Sequence, residues 1–305
     1  IHDITRNADQ CGKQKIDRYR SDFDRFLLGW TRAECCEIQD PDGGGSQMIR
    51  ALGRWFRAFR FAREIFLVGG AYLAYEIVRS FSAGRAVDAF ENTELVVRAE
   101  QALGIFVELN VQVAALSYSG LVDFFSLWYF WGHFPLIVGF AIFSFCRHNK
   151  DYVWARNAVF LAGGVGLIVY LSFPVAPPRL IPGGGFVDTL RDVFALQYGD
   201  SSLVNEFAAV PSLHQGFALI MGGAFYRIIG GRAGIAVFAI LPTIMFVSIV
   251  VTANHWFIDA ILGAMVALLA MWAASKLERH GDRWFAPVGR FKMRLHGCVM
   301  DRMPG

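Results

Sequence analysis

Hydrophobic residues along this chain gather into six long blocks separated by shorter polar segments. A helix needs about 20 mostly apolar residues to cross a hydrocarbon layer of about 30 Å, and each block is close to that length. The pattern therefore predicts an all-α integral membrane protein with six transmembrane helices. These cover residues 61–80, 121–145, 154–173, 214–229, 234–252 and 257–276.

The stretch 85–117 has a different pattern, because charged residues recur among its apolar ones. It is too charged to span a membrane, and its amphipathic pattern predicts additional interfacial helices. The chain as a whole divides into a polar N-terminal segment, a six-span domain and a basic amphipathic tail, which cover residues 1–48, 49–280 and 281–305.

Arginine and lysine residues predict the orientation of the spans. Cytoplasmic loops are enriched in these residues, and the basic segments here all fall on one side of a six-span arrangement. Both termini are therefore predicted to be cytoplasmic, in a cell membrane or an endomembrane. The connections on the opposite, non-cytoplasmic face are 81–120, 174–213 and 253–256.

Composition supports a membrane protein and excludes some other classes. Hydrophobic residues make up 55% of the chain, above the roughly 45–50% that is typical of soluble proteins, and the mean hydropathy is positive, at +0.39. A net charge of +3 gives no reason to expect a nucleic-acid partner. The five cysteines lack the spacing of a zinc site, so we expect no metal site and no cofactor. The predicted topology puts all five on or near the cytoplasmic side, so we expect reduced thiols.

Three polar stretches carry candidate chemistry, and all three fall on the predicted non-cytoplasmic face. His255 and Asp259 are four residues apart and share a helical face. The carboxylate can orient one imidazole nitrogen and leave the other as a nucleophile, although such a pair can also simply pin two helices together. The three polar stretches on this face are residues 174–180, 210–216 and 252–259, and His255 and Asp259 belong to the third.

The other two stretches supply what phosphoryl transfer requires. His214 can protonate a leaving oxygen and later activate an acceptor, and the guanidinium of Arg179 can grip phosphate with two parallel hydrogen bonds. Ser212 and Asn254 are further candidates for phosphate binding. Each residue alone has an ordinary structural explanation, but their coincidence on one face predicts a phosphate site.

At these residues the sequence resembles the type-2 phosphatidic acid phosphatase superfamily over residues 60–276. Its three signature stretches correspond to Arg179, to Pro211–His214 and to His255–Asp259. The resemblance implies a six-helix core without metal. It also implies a phosphohistidine on His255, protonation of the leaving group by His214, and orientation of His255 by Asp259.

Two of the family's phosphate-binding cations are missing, because Ser172 replaces a lysine and Ile249 replaces an arginine. Leu213 stands where the phosphatases commonly have glycine. These departures resemble the branch of inositol-phosphorylceramide synthase and sphingomyelin synthase. Two further stretches, residues 100–108 and 128–135, resemble the same branch. In the second stretch Tyr129 and His133 are four residues apart, so they can face the site as substrate-binding residues.

The missing cations favour a phosphodiester donor, whose reacting phosphate carries one negative charge where a monoester carries nearly two. The expected function is therefore transfer of a phospho-headgroup, such as phosphoinositol, from a phospholipid donor to a lipid or glycan alcohol. A lipid or polyprenyl-phosphate phosphatase, with water as the acceptor, is the alternative. A non-enzymatic transporter or scaffold is a third class, and the oligomeric state stays open.

Overall fold

The computed structural model describes residues 44–82, 84–194 and 206–284. Within these ranges the regular structure is helical, and the extended backbone is limited to an isolated bridge between Val175 and Ala208. The helices are α1 Gly44–Ser82, α2 Ala86–Leu103, α3 Glu108–Leu116, α4 Ser119–Leu127, α5 His133–Arg147, α6 Asn149–Ser172, α7 Thr189–Phe194, α8 Leu213–Ile229, α9 Gly231–Val251 and α10 Phe257–Trp284.

Two short helical turns of other types interrupt this series. A π-helical turn, Trp128–Gly132, joins α4 to α5, and a 3₁₀ turn, Pro178–Leu180, lies between α6 and α7. The π-helical turn carries Tyr129 and the 3₁₀ turn carries Arg179, both predicted site residues. Turns of the π type often occur at functional sites.

The chain forms two compact units that divide within α1, after Phe66. The described part of the first unit is the start of α1, where Arg63 and Glu64 form an ion pair of 2.7 Å. The second unit contains α2 to α10 and the remainder of α1. Most of the predicted N-terminal segment and of the predicted C-terminal tail lies outside the described residues.

Four helical stretches in the described residues are long and apolar enough to cross a membrane: Gly120–Arg147, Asn149–Ser172, Gly231–Val251 and Phe257–Arg279. They match four of the six predicted spans. Residues 61–80 are helical within α1 but carry four charged side chains, and residues 214–229 fall in α8, which has 17 residues. The six-span count and the interfacial position of α2 and α3 stay predictions.

Helix α8 packs against α6, α9 and α10, and small residues let it approach α10 closely. A Cβ atom added to Gly216 would lie 3.0 Å from the carbonyl oxygen of Gly263, and one added to Gly263 would collide with the carbonyl group of Ser212. Such small-residue contacts are typical of helix pairs in membranes. They bring the first turn of α8 against the first two turns of α10.

The other end of α8 is fixed by Arg227. Its guanidinium donates to Asp151 at 2.9 Å and to Glu278 at 2.9 Å, and it lies 4.7 Å from the ring centre of Trp154. These contacts tie α8 to α6 and α10. The three helices are thus held at both ends, which gives the histidine at the start of α8 a defined position.

Candidate active site

A tight turn between α9 and α10 presents His255. The amides of Asn254 and His255 both donate to the carbonyl oxygen of Ile249, at 3.0 and 3.3 Å. Ala253 has a φ of 51°, in the left-handed region that costs a residue with a Cβ atom about 1–2 kcal/mol. The turn therefore stores local strain directly before the histidine, as is common at functional sites.

The imidazole of His255 has two acceptors beside its Nδ1 atom. The carbonyl oxygen of Ala209 lies 2.9 Å away, and Oδ2 of Asp259 lies 3.5 Å away. Since a carbonyl oxygen can only accept, Nδ1 must carry the hydrogen. The second nitrogen, Nε2, is then left with a lone pair, as a nucleophile requires.

The Ala209 carbonyl is a site component that sequence reasoning missed. It belongs to the strand-like bridge between the segments that follow α6 and precede α8: the Ala209 amide donates to the carbonyl of Val175 at 3.3 Å, and the Val175 amide to that of Phe207 at 3.0 Å. Ala209 is 46 residues from His255. Backbone groups this distant leave no signal in residue types.

Asp259 is fully buried and connects three parts of the site. Its Oδ2 atom accepts from the amide of Trp256 at 2.8 Å, and its backbone carbonyl accepts from the amide of Ser212 at 2.9 Å. Its Oδ1 atom has no hydrogen-bond partner within the described residues. The predicted His255–Asp259 contact exists, but the Ala209 carbonyl is closer to the imidazole.

His214 lies in a cluster of rings. Its ring centre is 5.8 Å from that of His255, and it stacks on Tyr129 at 4.3 Å and lies 5.6 Å from both His133 and Phe134. His133 is buried, and its Nε2 atom has no partner within the described ranges. The structure thus brings together both predicted catalytic histidines and both predicted substrate-binding residues of the π-helical turn and α5.

Arg179 is held close to the His255 turn. Its amide donates to the carbonyl of Ala253 at 3.0 Å. Its side chain is 4% exposed, and Nε lies 3.5 Å from Oδ2 of Asp188. The guanidinium therefore belongs to a buried, partly neutralised environment beside the turn.

The two remaining predicted phosphate ligands have local structural contacts. The hydroxyl oxygen of Ser212 accepts from the amide of Gln215 at 3.3 Å and so caps α8, although the hydroxyl hydrogen can still be donated. The side-chain amide of Asn254 donates to the carbonyl of Thr252 at 3.1 Å, within the turn. Both residues shape the backbone around the histidines.

Neither position of the missing cations is filled by another charge. Ile249 is fully buried and packs with Ala218 and Met245. Ser172 is exposed, and its hydroxyl donates to the carbonyl of Ile168 at 2.8 Å. In the part of the chain that the structure describes, no group of three or more His, Cys, Asp or Glu side chains is arranged to hold a metal ion.

Two glutamates that sequence reasoning had assigned to an amphipathic surface are buried at the site. Oε1 of Glu100 accepts from the amide of Ile258 at 2.8 Å, and Oε1 of Glu108 accepts from the amide of Phe257 at 2.9 Å. Both side chains have no exposed surface. Glu100 and Glu108 lie in one short sequence stretch. Because other charged residues occur near it, the pattern predicted an exposed surface and not buried carboxyl groups.

Fold and site together define a helical integral membrane protein with two histidines and a carboxylate gathered at the ends of its helices. The chain belongs to the PAP2 superfamily, whose family model matches residues 94–273. This confirms the resemblance seen in the motifs. The matched range contains every residue of the candidate site, including Glu100 and Glu108.

A curated relative adds a more specific similarity. Over 156 residues the chain is 27% identical to the phosphoinositol dihydroceramide synthase of Bacteroides thetaiotaomicron. The matched segment covers 46% of this chain and 50% of the relative. The match thus spans about half the length of that protein. No solved structure matches the chain.

Proposed function

We propose that this chain is a lipid phosphotransferase that moves a phospho-headgroup from a phospholipid donor to an alcohol. The observation that carries the proposal is the contact of 2.9 Å between Nδ1 of His255 and the Ala209 carbonyl. It leaves Nε2 unprotonated and therefore nucleophilic at the same buried site as His214. The name of the relative, phosphoinositol dihydroceramide synthase, supports a phosphoinositol donor and a ceramide-type acceptor.

The first half-reaction forms a phosphohistidine. Nε2 of His255 attacks phosphorus, the bond from phosphorus to the donor's alcohol oxygen breaks, and His214 gives that oxygen a proton. Asp259 stabilises the positive charge that develops on the imidazole as the nitrogen–phosphorus bond forms. The released product is a neutral lipid alcohol.

The second half-reaction reverses these roles with a new alcohol. The acceptor oxygen attacks phosphorus, His214 removes its proton, and the bond between Nε2 of His255 and phosphorus breaks. We assign the acceptor hydroxyl to the ring cluster around His214, where Tyr129 provides a flat surface. The buried Nε2 atom of His133, which has no partner among the described residues, can donate a hydrogen bond to the oxygen of that hydroxyl in the tautomer that carries its hydrogen on Nε2.

The non-bridging phosphate oxygens need donors, and two helices begin at the site. The first amides of α10 already donate to side-chain carboxyl oxygens, so that helix end is unsuited to an anion. The start of α8, behind Ser212, has a positive end of the helix dipole and no acidic side chain in its first turn. We therefore assign the phosphate to the start of α8 and to Arg179.

A phosphodiester donor, and with it a transferase over a monoester phosphatase, is favoured by the uncharged residues at the two altered motif positions. Ser172 and Ile249 bring no cation to the phosphate, and a diester with a single negative charge needs fewer cations than a monoester. Arg179 matches that smaller charge. A phosphatase acting on monoesters is expected to need the cations that are missing.

The test is an acceptor-dependent assay on protein reconstituted in vesicles. With phosphatidylinositol as donor and dihydroceramide as acceptor, mass spectrometry should detect phosphoinositol dihydroceramide in equal amount to the diacylglycerol released. His255→Ala should abolish the product, whereas His148→Ala, at a distant helix start, should leave it unchanged. Release of a phosphate compound without any acceptor product would instead support the phosphatase alternative.

A further inference from the structure

Three carboxyl groups from three helices converge on the start of α10. Asp259, Glu108 and Glu100 accept hydrogen bonds from the consecutive amides of Trp256, Phe257 and Ile258, at 2.8, 2.9 and 2.8 Å. The first amides of a helix have no partner within the helix. Here side chains from α2 and α3, more than 140 residues away in sequence, supply two of those partners.

The three amides that donate these hydrogen bonds lie between His255 and Asp259, the two residues assigned to the chemistry. Trp256 follows His255 directly, and Ile258 precedes Asp259 directly. Any shift of the first turn of α10 therefore moves the nucleophile and its carboxylate together. Displacements of about 1 Å in such a group can cost about 100-fold in rate.

We propose that Glu100 and Glu108 are positioning residues of the phosphotransfer site, which hold the first turn of α10 as a buried carboxyl pair that shares one proton. The proposal rests on the proposed function for its effect on rate, but not for the geometry of the pair. Neither glutamate contacts the reacting atoms in the proposed mechanism. Both act through the backbone that carries His255 and Asp259.

The charge of the site explains why one proton is kept. The charged groups that bear on Glu100 are Glu108 of α3 and Asp259 of α10, and both are acidic. Burial, together with the adjacent Glu108 carboxyl, raises the pKa of Glu100 from 4.5 to about 9. Glu100 is thus neutral at physiological pH, and its remaining oxygen, buried like that of Glu108, can carry a hydrogen to its neighbour.

When this proton is lost, Glu100 and Glu108 are two adjacent carboxylates close to that of Asp259, at a site that must bind an anionic phosphate. We therefore expect activity to fall as the pH rises past about 9. Glu100→Gln isolates this effect. The glutamine oxygen can still accept from Ile258 and the amide group can still donate, but the side chain cannot ionise.

The experiment compares kcat and KM of the wild type, Glu100→Gln and Glu100→Ala across the pH range in vesicles. At neutral pH Glu100→Gln should stay within about threefold of the wild type, and its alkaline loss should shift upward by about one pH unit or more. Glu100→Ala should lower kcat by about tenfold or more and change KM little. The matched control is Glu94→Gln, an exposed glutamate on the same helix that pairs with Arg98.

A second readout separates failure of the pair from failure of the proposed function. A carboxyl whose pKa is raised by folding keeps a proton that the unfolded chain has lost, so wild-type stability falls as the pH rises from about 4.5 to about 9. Glu100→Gln lacks this dependence. Its Tm relative to the wild type should therefore increase between about pH 6 and about pH 9.

The outcomes divide clearly. If the wild type makes no acceptor product but the Tm difference between Glu100→Gln and the wild type still grows with pH, the proposed function is wrong and the shared proton of the carboxyl pair is confirmed. If Glu100→Gln keeps the wild-type alkaline loss and the wild-type dependence of Tm on pH, the shared proton is wrong. If Glu100→Ala keeps the wild-type kcat, the positioning role is overturned.

Discussion

The Nδ1 atom of His255 lies 2.9 Å from the carbonyl oxygen of Ala209, closer than its 3.5 Å approach to the carboxylate of Asp259. In this site the backbone therefore sets the tautomer of the histidine. In the proposed mechanism the carboxylate then has an electrostatic role, and it also accepts a hydrogen bond from the amide of Trp256. This division of labour separates two effects that a single aspartate usually combines.

Replacement of Asp259 should reveal that division. In Asp259→Asn the Ala209 carbonyl still fixes the tautomer and the new amide oxygen can still accept from Trp256, so the expected loss is about 100-fold in kcat, from the missing negative charge. Asp259→Ala also leaves a buried amide without an acceptor and should lower the free energy of unfolding by a further 1–3 kcal/mol or so. Vesicle kinetics and detergent unfolding measure the two effects. A loss in Asp259→Asn as complete as that in His255→Ala would contradict the role of Ala209.

His214→Ala should separate the two half-reactions. A phosphodiester with a good leaving group, such as a nitrophenol, does not need protonation to depart. With this donor the variant should form the phosphohistidine and then retain it, since no base activates the acceptor. The readout is acid-labile, alkali-stable phosphate on the protein, with His255→Ala as the blank. Absence of phospho-enzyme in His214→Ala, even with the activated donor, would mean that His214 is needed before departure of the leaving group.

The sequence was sufficient to predict which candidate side chains lie together. The spacing of His255 and Asp259 predicted their shared position, and four of the six predicted spans meet the length and hydropathy of a membrane helix. The motifs predicted the superfamily, which the family model confirms.

The parts that escaped prediction depend on tertiary contacts. The Ala209 carbonyl is a backbone group, and no residue pattern encodes its direction. Glu100 and Glu108 occur among exposed charged residues, so a pattern of charge could not distinguish the buried carboxyls from the solvated ones. Only the packing of α2 and α3 against the start of α10 makes that distinction.

Arg179 should contribute through the shape of its guanidinium as well as through its charge. Arg179→Lys keeps the charge but loses the planar donor pair, so we expect kcat/KM to fall by about tenfold, against about 100-fold or more for Arg179→Ala. The control is Arg98→Ala, at an exposed pair with Glu94, which should leave kcat/KM within about twofold. Equal losses in Arg179→Lys and Arg179→Ala would show that geometry dominates; no loss in either would remove Arg179 from the phosphate site.

The predicted orientation can be tested with thiol labelling in intact cells or sealed vesicles. Cys146 is exposed near the end of α5, on the predicted cytoplasmic side. Ser117→Cys introduces a thiol on the predicted opposite face, at an exposed position after α3. In a background without the other cysteines, an impermeant maleimide should label Ser117→Cys directly and Cys146 only after lysis. The reverse pattern would invert the topology.

The contact between α8 and α10 should be sensitive to a single methyl group. A Cβ atom at Gly263 collides with the backbone of Ser212, which cannot move aside without shifting the His214 helix from the His255 turn. Gly263→Ala should therefore destabilise the protein by about 1–3 kcal/mol or more. It should also reduce kcat by about 100-fold or more, because it displaces a catalytic group.

The matched control is Gly164→Ala in α6, where an added Cβ atom meets nothing within 4 Å. That change should preserve activity and raise helix stability slightly, because alanine has the higher helix propensity. Wild-type kcat in Gly263→Ala would mean that the close approach of the two helices is not what aligns the histidines.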